Sequence, residues 1–209
     1  MRSHSEEAVS SGQADDARVA ILRAAAAVFA ERGYAAASTR EIAERAGIGK
    51  RMLFYYFESK DDLYEHVLES LLEQVGALHE THRGEPGPEG LREFIGALLR
   101  YASANPDPVR ILIREIMDEG PHLDRIAERY VAPLFKAGAE EVARNADAGV
   151  FRAQDPIHTL INIGGMTIFY VLTAPLTARI WNRDPLDPDT VERHIAAATH
   201  FALAGMMKE

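Results

Sequence analysis

The residues best equipped for chemistry lie in one short run, Lys50, Arg51, Met52, Tyr55 and Tyr56. An ammonium and two phenols hydrogen-bond to phosphate oxygens, and a guanidinium can grip the O6 and N7 edge of guanine. A thioether such as that of Met52 suits a thymine methyl. If the run is a helix, Lys50 stands at its start, where the ammonium and the free backbone amides can meet one phosphate. Thr39 and Lys60 flank the run and are placed to clamp a nucleic-acid backbone from either side. No comparable set supports catalysis. There is no glycine loop followed by G-K-S/T, and no spacing that argues for a nucleophile with its base. An enzyme is not expected, and neither is a cofactor.

The elements that must position these residues read as a helix-turn-helix over 38–60. Ser38 and Glu41 have the S-x-x-E spacing of a capping box. Ile42, Ala43 and Ala46 give the first helix a small apolar face, and Gly47 follows where that helix must stop. Ala43, four residues before Gly47, is small enough for a second helix to approach. That helix, over 50–56, turns Leu53 inward. A preceding helix over 17–32 carries Val19, Leu22, Ala26 and Phe29 at helical spacing and stops at Gly33. Ser59 caps a long fourth helix to about Glu80, with Leu63, Val67, Leu71, Val75 and Leu78 as its buried stripe.

This stretch resembles the DNA-binding domain of the TetR/AcrR family of transcriptional regulators. The resemblance covers about residues 18–70 and rests on Phe29, Gly33-Tyr34, Thr39, Ile42-Ala43, Ala46-Gly47-Ile48, Lys50, Leu53, Tyr55, Phe57, Ser59-Lys60, Leu63 and Val67. It implies that Thr39, Lys50, Tyr55, Tyr56 and Lys60 contact phosphate, with Leu53 and Phe57 in the core. One departure bears on specificity. Where the family usually has Ser-Lys-Gly-Thr-Leu-Tyr, this chain has Gly49-Lys50-Arg51-Met52-Leu53-Phe54. The exchange adds a fork donor at Arg51, with which the chain is expected to read a guanine, and removes a hydroxyl at Phe54.

Charge follows the same division. The chain of 209 residues has net charge −9, an odd balance for a DNA binder until it is split. Residues 1–16 carry −3, residues 17–60 carry +4 from eight Lys/Arg against four acids, and the remainder carries −10. Positive charge is thus confined to the helix-turn-helix. There are no cysteines, hence no disulfide or thiolate metal site. No apolar run is expected to approach the roughly 18 residues of a membrane span, and the polar start has no signal-peptide core. The expected location is the cytoplasm, without membrane contact.

The organisation expected is a disordered arm at 1–16, the DNA-binding domain at 17–62, and a helical domain for effector binding and dimerisation at 63–209. After a break at His82–Pro88 the pattern stays helical, with stops near Asn105-Pro106, Gly120-Pro121, Gly149 and Asp184–Pro188. An irregularity is expected near Pro133 and a bend at Pro175. The fold class is therefore all-α. The last two long helices are rich in small residues, which lets helices approach closely. Ile161, Gly164, Ile168 and Leu172 on one, and Ile195, Ala198 and Ala202 on the other, are expected to form half of a four-helix bundle with a second copy.

The resemblance also implies a small-molecule effector bound in the helical body. Arg114, Met117, His122, Phe135, Asn162, Met166, Phe169, Tyr170 and Trp181 are the candidate wall residues, whereas Glu115, Asp118 and Glu119 read as a solvated face. The function expected is that of a homodimeric regulator, a repressor, binding a near-palindromic operator on double-stranded DNA and released by the effector. Two alternatives stay open. A metal sensor would use His79 with His82, or His194 with His200, but lacks a third ligand. A nonspecific DNA binder would have to overcome its acidic body.

Overall fold

The computed structural model describes residues 3–84 and 86–208, with side chains from residue 16 onward. The helices are α1 (Ser3–Ala36), α2 (Thr39–Arg45), α3 (Lys50–Tyr56), α4 (Lys60–His82), α5 (Pro88–Ala104), α6 (Pro106–Met117), α7 (Leu123–Ile126), α8 (Ala132–Asp147), α9 (Pro156–Trp181) and α10 (Pro188–Met206). A π turn, Ala127–Val131, joins α7 to α8. The only β pairing among the described residues is an isolated antiparallel bridge between Phe151 and Met207.

Local chemistry sets most of the boundaries. Ser59, Asp155 and Asp187 accept hydrogen bonds from backbone amides at the starts of α4, α9 and α10. Proline opens α5, α6, α9 and α10, where its missing amide costs nothing and its fixed φ suits the first turn. Pro133 has no amide to bond four residues back. The strain falls on the preceding turn, where the Ala132 amide donates to the carbonyl of Ala127, five residues back. Pro175 lies inside α9, which runs through it to Trp181.

Two expectations need correction. Over residues 3–16, where a disordered arm was expected, the backbone continues α1 toward the N-terminus. Glu6, Glu7 and Ala8 are adequate helix formers, and a helix already nucleated extends cheaply, with Gly12 costing only about 1 kcal/mol. Gly33, at φ 74°, does interrupt α1 as expected. Secondly, α9 is 26 residues long with a mean hydropathy of 1.5 in its most apolar window, enough by length and composition to cross a membrane. Its glycines and threonines break up the apolar run to the eye without lowering its hydropathy. One side of the helix is accounted for inside the fold, where Ile163, Thr167, Val171 and Ala174 are buried.

Packing does not divide at residue 62. One cluster joins Ile21, Val28, Phe29, Ile42, Leu53, Phe57, Leu63 and Leu68 to Ile111 and Leu112 of α6, Ile126 of α7 and Val171 of α9. A second joins Ile95 and Leu99 of α5 to Ile163 and Tyr170 of α9 and to Val191, Ile195, Ala198 and Ala202 of α10. The helix-turn-helix therefore rests on the body through a continuous core. The described residues hold no group of three or more His, Cys, Asp or Glu able to hold a metal.

His194 makes this second layer sensitive to pH. Its ring stacks flat on Tyr170, with centroids 3.7 Å apart, and its buried Nε2 has no hydrogen-bond partner among the described residues. Burial pushes its pKa below the ordinary 6.5. Between the folded and unfolded pKa values the unfolded chain binds more protons than the native state. Stability is therefore complete above about pH 6.5 and falls as pH drops below it. Urea midpoints at pH 7.5 and 5.5 should drop more for the wild type than for His194→Gln.

Candidate nucleic-acid interface

The turn between α2 and α3 is built from backbone bonds. Gly47, at φ 71°, lets its own amide bond the Glu44 carbonyl at 3.1 Å and the Ile48 amide bond the Ala43 carbonyl at 2.9 Å, closing α2 in a Schellman motif. A Cβ at Gly47 would meet nothing within 4 Å, so the position is decided by φ alone. Gly47→Ala should cost about 1 kcal/mol through left-handed strain, seen as a lower denaturation midpoint with the fold unchanged. At the other end of α2 the Ser38 Oγ accepts from the Arg40 amide at 3.2 Å. Glu41 does not complete the expected capping box. It pairs instead with Arg45 at 3.3 Å and Arg32 at 3.7 Å. Arg45 also binds both carboxylate oxygens of Glu31, at 2.7 and 3.0 Å, locking α2 onto α1 and holding the Glu31 carboxyl below its usual range.

These pairings sort the basic residues. Arg32, Arg40 and Arg45 all have carboxylate partners. Lys50 and Arg51 stand exposed on α3, and neither has an ion-pair partner among the described residues. Lys50 Nζ lies 5.6 Å above the ring of Phe54. Tyr55 is 79% exposed, and Met52 and Phe54 are also exposed. Tyr56 is half-buried against the core, edge-on to Tyr55. Leu53 and Phe57 are buried, as expected. Thr39 sits half-exposed at the first turn of α2. The outward surface of α3 thus offers an ammonium, a guanidinium, a phenol and two apolar side chains to one ligand.

Lys60 is placed differently from the expectation. Its ammonium donates to the carbonyls of Tyr34 at 2.9 Å and Ala37 at 3.2 Å and lies 4.4 Å from the centroid of the Tyr34 ring. It ties the start of α4 to the end of α1, so its hydrogen bonds are spent inside the protein. Nothing in the residue type signals this. Only the return of the chain after Gly33 brings those carbonyls within reach.

The candidate effector residues do not form one wall. Arg114 donates to the Phe29 carbonyl at 3.2 Å, at the end of α1. His122 is buried beside Asp61. Met117 and Phe169 are largely exposed, Trp181 is 47% exposed, and Asn162 is on the surface. Tyr170 is buried and donates to the Pro185 carbonyl at 2.5 Å, and Met166 packs against the second cluster. A wide surface pocket beside Trp181 is lined also by Arg183, Thr190, Arg193, His194 and Ala197, and a narrower, partly open cavity lies between α4, α5, α8 and α9. Phe94, Val142, Phe151 and Leu160 give it apolar walls, and His79 and Asn145 supply polar atoms. Its volume is about 40 Å³. Gly90 and Gly138 hold the walls close, since a Cβ at either would come within 2.8 Å of a neighbouring atom.

The two long C-terminal helices turn apolar side chains outward. On α9 these are Ile157, Ile161, Phe169, Leu176 and Ile180, and on α10 Phe201 beside Ala197 and Ala204. Gly164, Ile168 and Leu172 are half-buried at the edge of the first stripe. Ile195, Ala198 and Ala202, expected at a subunit interface, are instead buried within the protomer against α5. Small apolar residues occur all round α10, so its pattern does not distinguish the two faces.

Residues 21–67 match the family described as bacterial regulatory proteins, tetR family. Residues 88–201, more than half of the chain, match the tetracyclin repressor-like C-terminal domain. The chain belongs to the TetR family. It is 30% identical over 171 residues to the HTH-type transcriptional repressor NicS of Pseudomonas putida, covering 76% of this chain and 77% of that one. It is 26% identical over 204 residues to the HTH-type transcriptional activator FasR of Mycolicibacterium smegmatis, covering 92% and 84%. The ketosteroid transcriptional regulator KstR2 of Mycobacterium tuberculosis superposes with a TM-score of 0.73 at 26% identity, over 92% of this chain and 95% of that one. Like other TetR-family members, the protein is a DNA-binding transcriptional regulator.

Proposed function

We propose that this TetR-family protein is a homodimeric, effector-released repressor, without catalytic activity, that reads a guanine in each half of a near-palindromic operator through Arg51. The observation that carries the reading is the exposure of Lys50 and Arg51 on α3 with no ion-pair partner among the described residues, whereas Arg32, Arg40 and Arg45 are each paired with a carboxylate. Lys50 would hold a phosphate at the start of α3, Arg51 would enter the major groove, and Met52 and Phe54 would lie against thymine methyls.

The exposed stripes on α9 and α10 support a dimer formed by these two helices. Phe169 is 68% and Phe201 73% exposed, a poor state for large apolar side chains in water. Gly164, Gly165 and Gly205 would each accept a Cβ without contact, so packing within the protomer does not demand them. A twofold axis there would present two copies of α3 to successive major grooves, about 34 Å apart. The cavity by His79 and Asn145 is the proposed effector site. At about 40 Å³ it has room for little more than water, so an effector must part α4 from α8 to enter. The relatives include both a repressor and an activator, and release on effector binding is part of the proposal.

Selection of bound duplexes from a random pool tests the reading. An enriched palindrome with a guanine in each half-site supports it. No enrichment at moderate salt, or a palindrome without guanine at the contacted step, refutes it.

A further inference from the structure

The junction between the helix-turn-helix and the body holds a hydrogen-bonded chain that neither DNA contact nor effector binding requires. Its anchor is Glu115 on α6, a carboxylate only 4% exposed. One oxygen accepts from the Tyr64 hydroxyl at 3.0 Å and the other from the His122 amide at 2.7 Å. A buried carboxylate is costly unless its lone pairs are met, and here both oxygens are met. Gly120 allows the wrap, since a Cβ there would fall 2.4 Å from the Glu115 carboxyl. The loop from Gly120 to His122 is therefore moulded onto Glu115, and the ring of His122 is held in place.

That ring faces the first turn of α4. His122 Nε2 is 3.1 Å from Asp61 Oδ1. A carboxylate only accepts, so Nε2 carries the proton and donates. The same Asp61 oxygen accepts from the Tyr34 hydroxyl at 3.2 Å, next to the Gly33 break in α1. Around the chain, Phe29, Tyr34 and Tyr64 pack with centroids 5.0–6.1 Å apart. The α6–α7 corner is thereby joined to both the end of α1 and the start of α4, the two segments that frame α2 and α3.

We infer that His122 is a positioning residue for DNA recognition: its bond to Asp61, braced by Glu115, holds the helix-turn-helix at one orientation on the body. This rests on the dimeric-operator reading, because orientation matters to binding only when two recognition helices must fit two grooves at once. A hydrogen bond at this place acts on the spacing of the half-sites rather than on their base sequence.

The test uses the full-length protein with His122→Ala, Asp61→Ala, the double variant and His122→Gln, whose amide can donate in place of Nε2. Amide hydrogen exchange is followed by peptide mass spectrometry, and affinity is measured for operators with one base pair more or fewer between half-sites. The expected result is exchange over residues 34–58 at least tenfold faster in each single alanine variant, no faster in the double variant, and near wild type in His122→Gln. Peptides from α8 to α10 should be unchanged, and discrimination between spacings should fall at least threefold in the alanine variants. Uniform acceleration across all peptides would show His122 to be ordinary core support and overturn the inference, as would multiplicative effects in the double variant. Exchange requires neither DNA nor a dimer. If it follows the expected pattern while the wild type shows no spacing preference, the joint stands and the palindromic-operator reading falls.

Discussion

Arg51→Ala will flatten base preference at one position in each half-site while leaving the rest of the operator unchanged. A bidentate contact to guanine discriminates by about 1–3 kcal/mol. A dimer uses it twice, so affinity for the best operator should fall by about 2–6 kcal/mol, and the guanine-substituted operator should no longer be disfavoured. The Arg51 side chain has no ion-pair partner among the described residues, whereas Arg40 and Arg45 bind Glu44 and Glu31 at 2.8 and 2.7 Å. Lys50→Ala supplies the contrast. It should weaken binding to all sequences alike and lower the slope of log affinity against log salt by about one for each half-site. Binding isotherms on matched and substituted duplexes at several salt concentrations separate the two. If Arg51→Ala behaves like Lys50→Ala, Arg51 touches phosphate and reads no base.

The second large effect should come from the outward face of α9. Phe169→Glu would place two carboxylates near the proposed twofold axis, where each unpaired buried charge costs about 3–5 kcal/mol. Sedimentation should then show a monomer at concentrations where the wild type is a dimer. Operator affinity should fall by about three orders of magnitude, since the second half-site is no longer bound at the high effective concentration that linkage provides. Within the protomer the substitution is mild, because the side chain already faces solvent, so circular dichroism should remain helical. An unchanged dimer would move the interface away from α9. A substitution at Ala198 is a poor probe of the same question, because that residue packs internally on α5.

The DNA-binding half was legible because its determinants are local. Capping by Ser59, the stop at Gly47, the burial of Leu53 and the exposure of Lys50 and Arg51 all follow from residues a few positions apart. Glu115 was legible only in part. It lies three and four residues after Leu112 and Ile111, on the same buried face of α6, yet its charge argued for solvent. The partners that reverse that argument, Tyr64 and the His122 amide, come from another helix and from the following loop.

The order of helices, the helix-turn-helix and the family are properties of the amino-acid string alone, because short-range periodicity, caps and turn residues encode them. The tertiary structure alone decided which face of α9 and α10 is left bare, where the cavity between α4, α5, α8 and α9 lies, and that Lys60, Arg114 and His122 serve the junction between α1, α4 and α6. The physical reason is common to all of these. An apolar helix with small residues on every side has several equivalent ways to pack. Likewise, a polar side chain able to bond DNA, an effector or a carbonyl is assigned only when the fold brings one of them within about 3 Å.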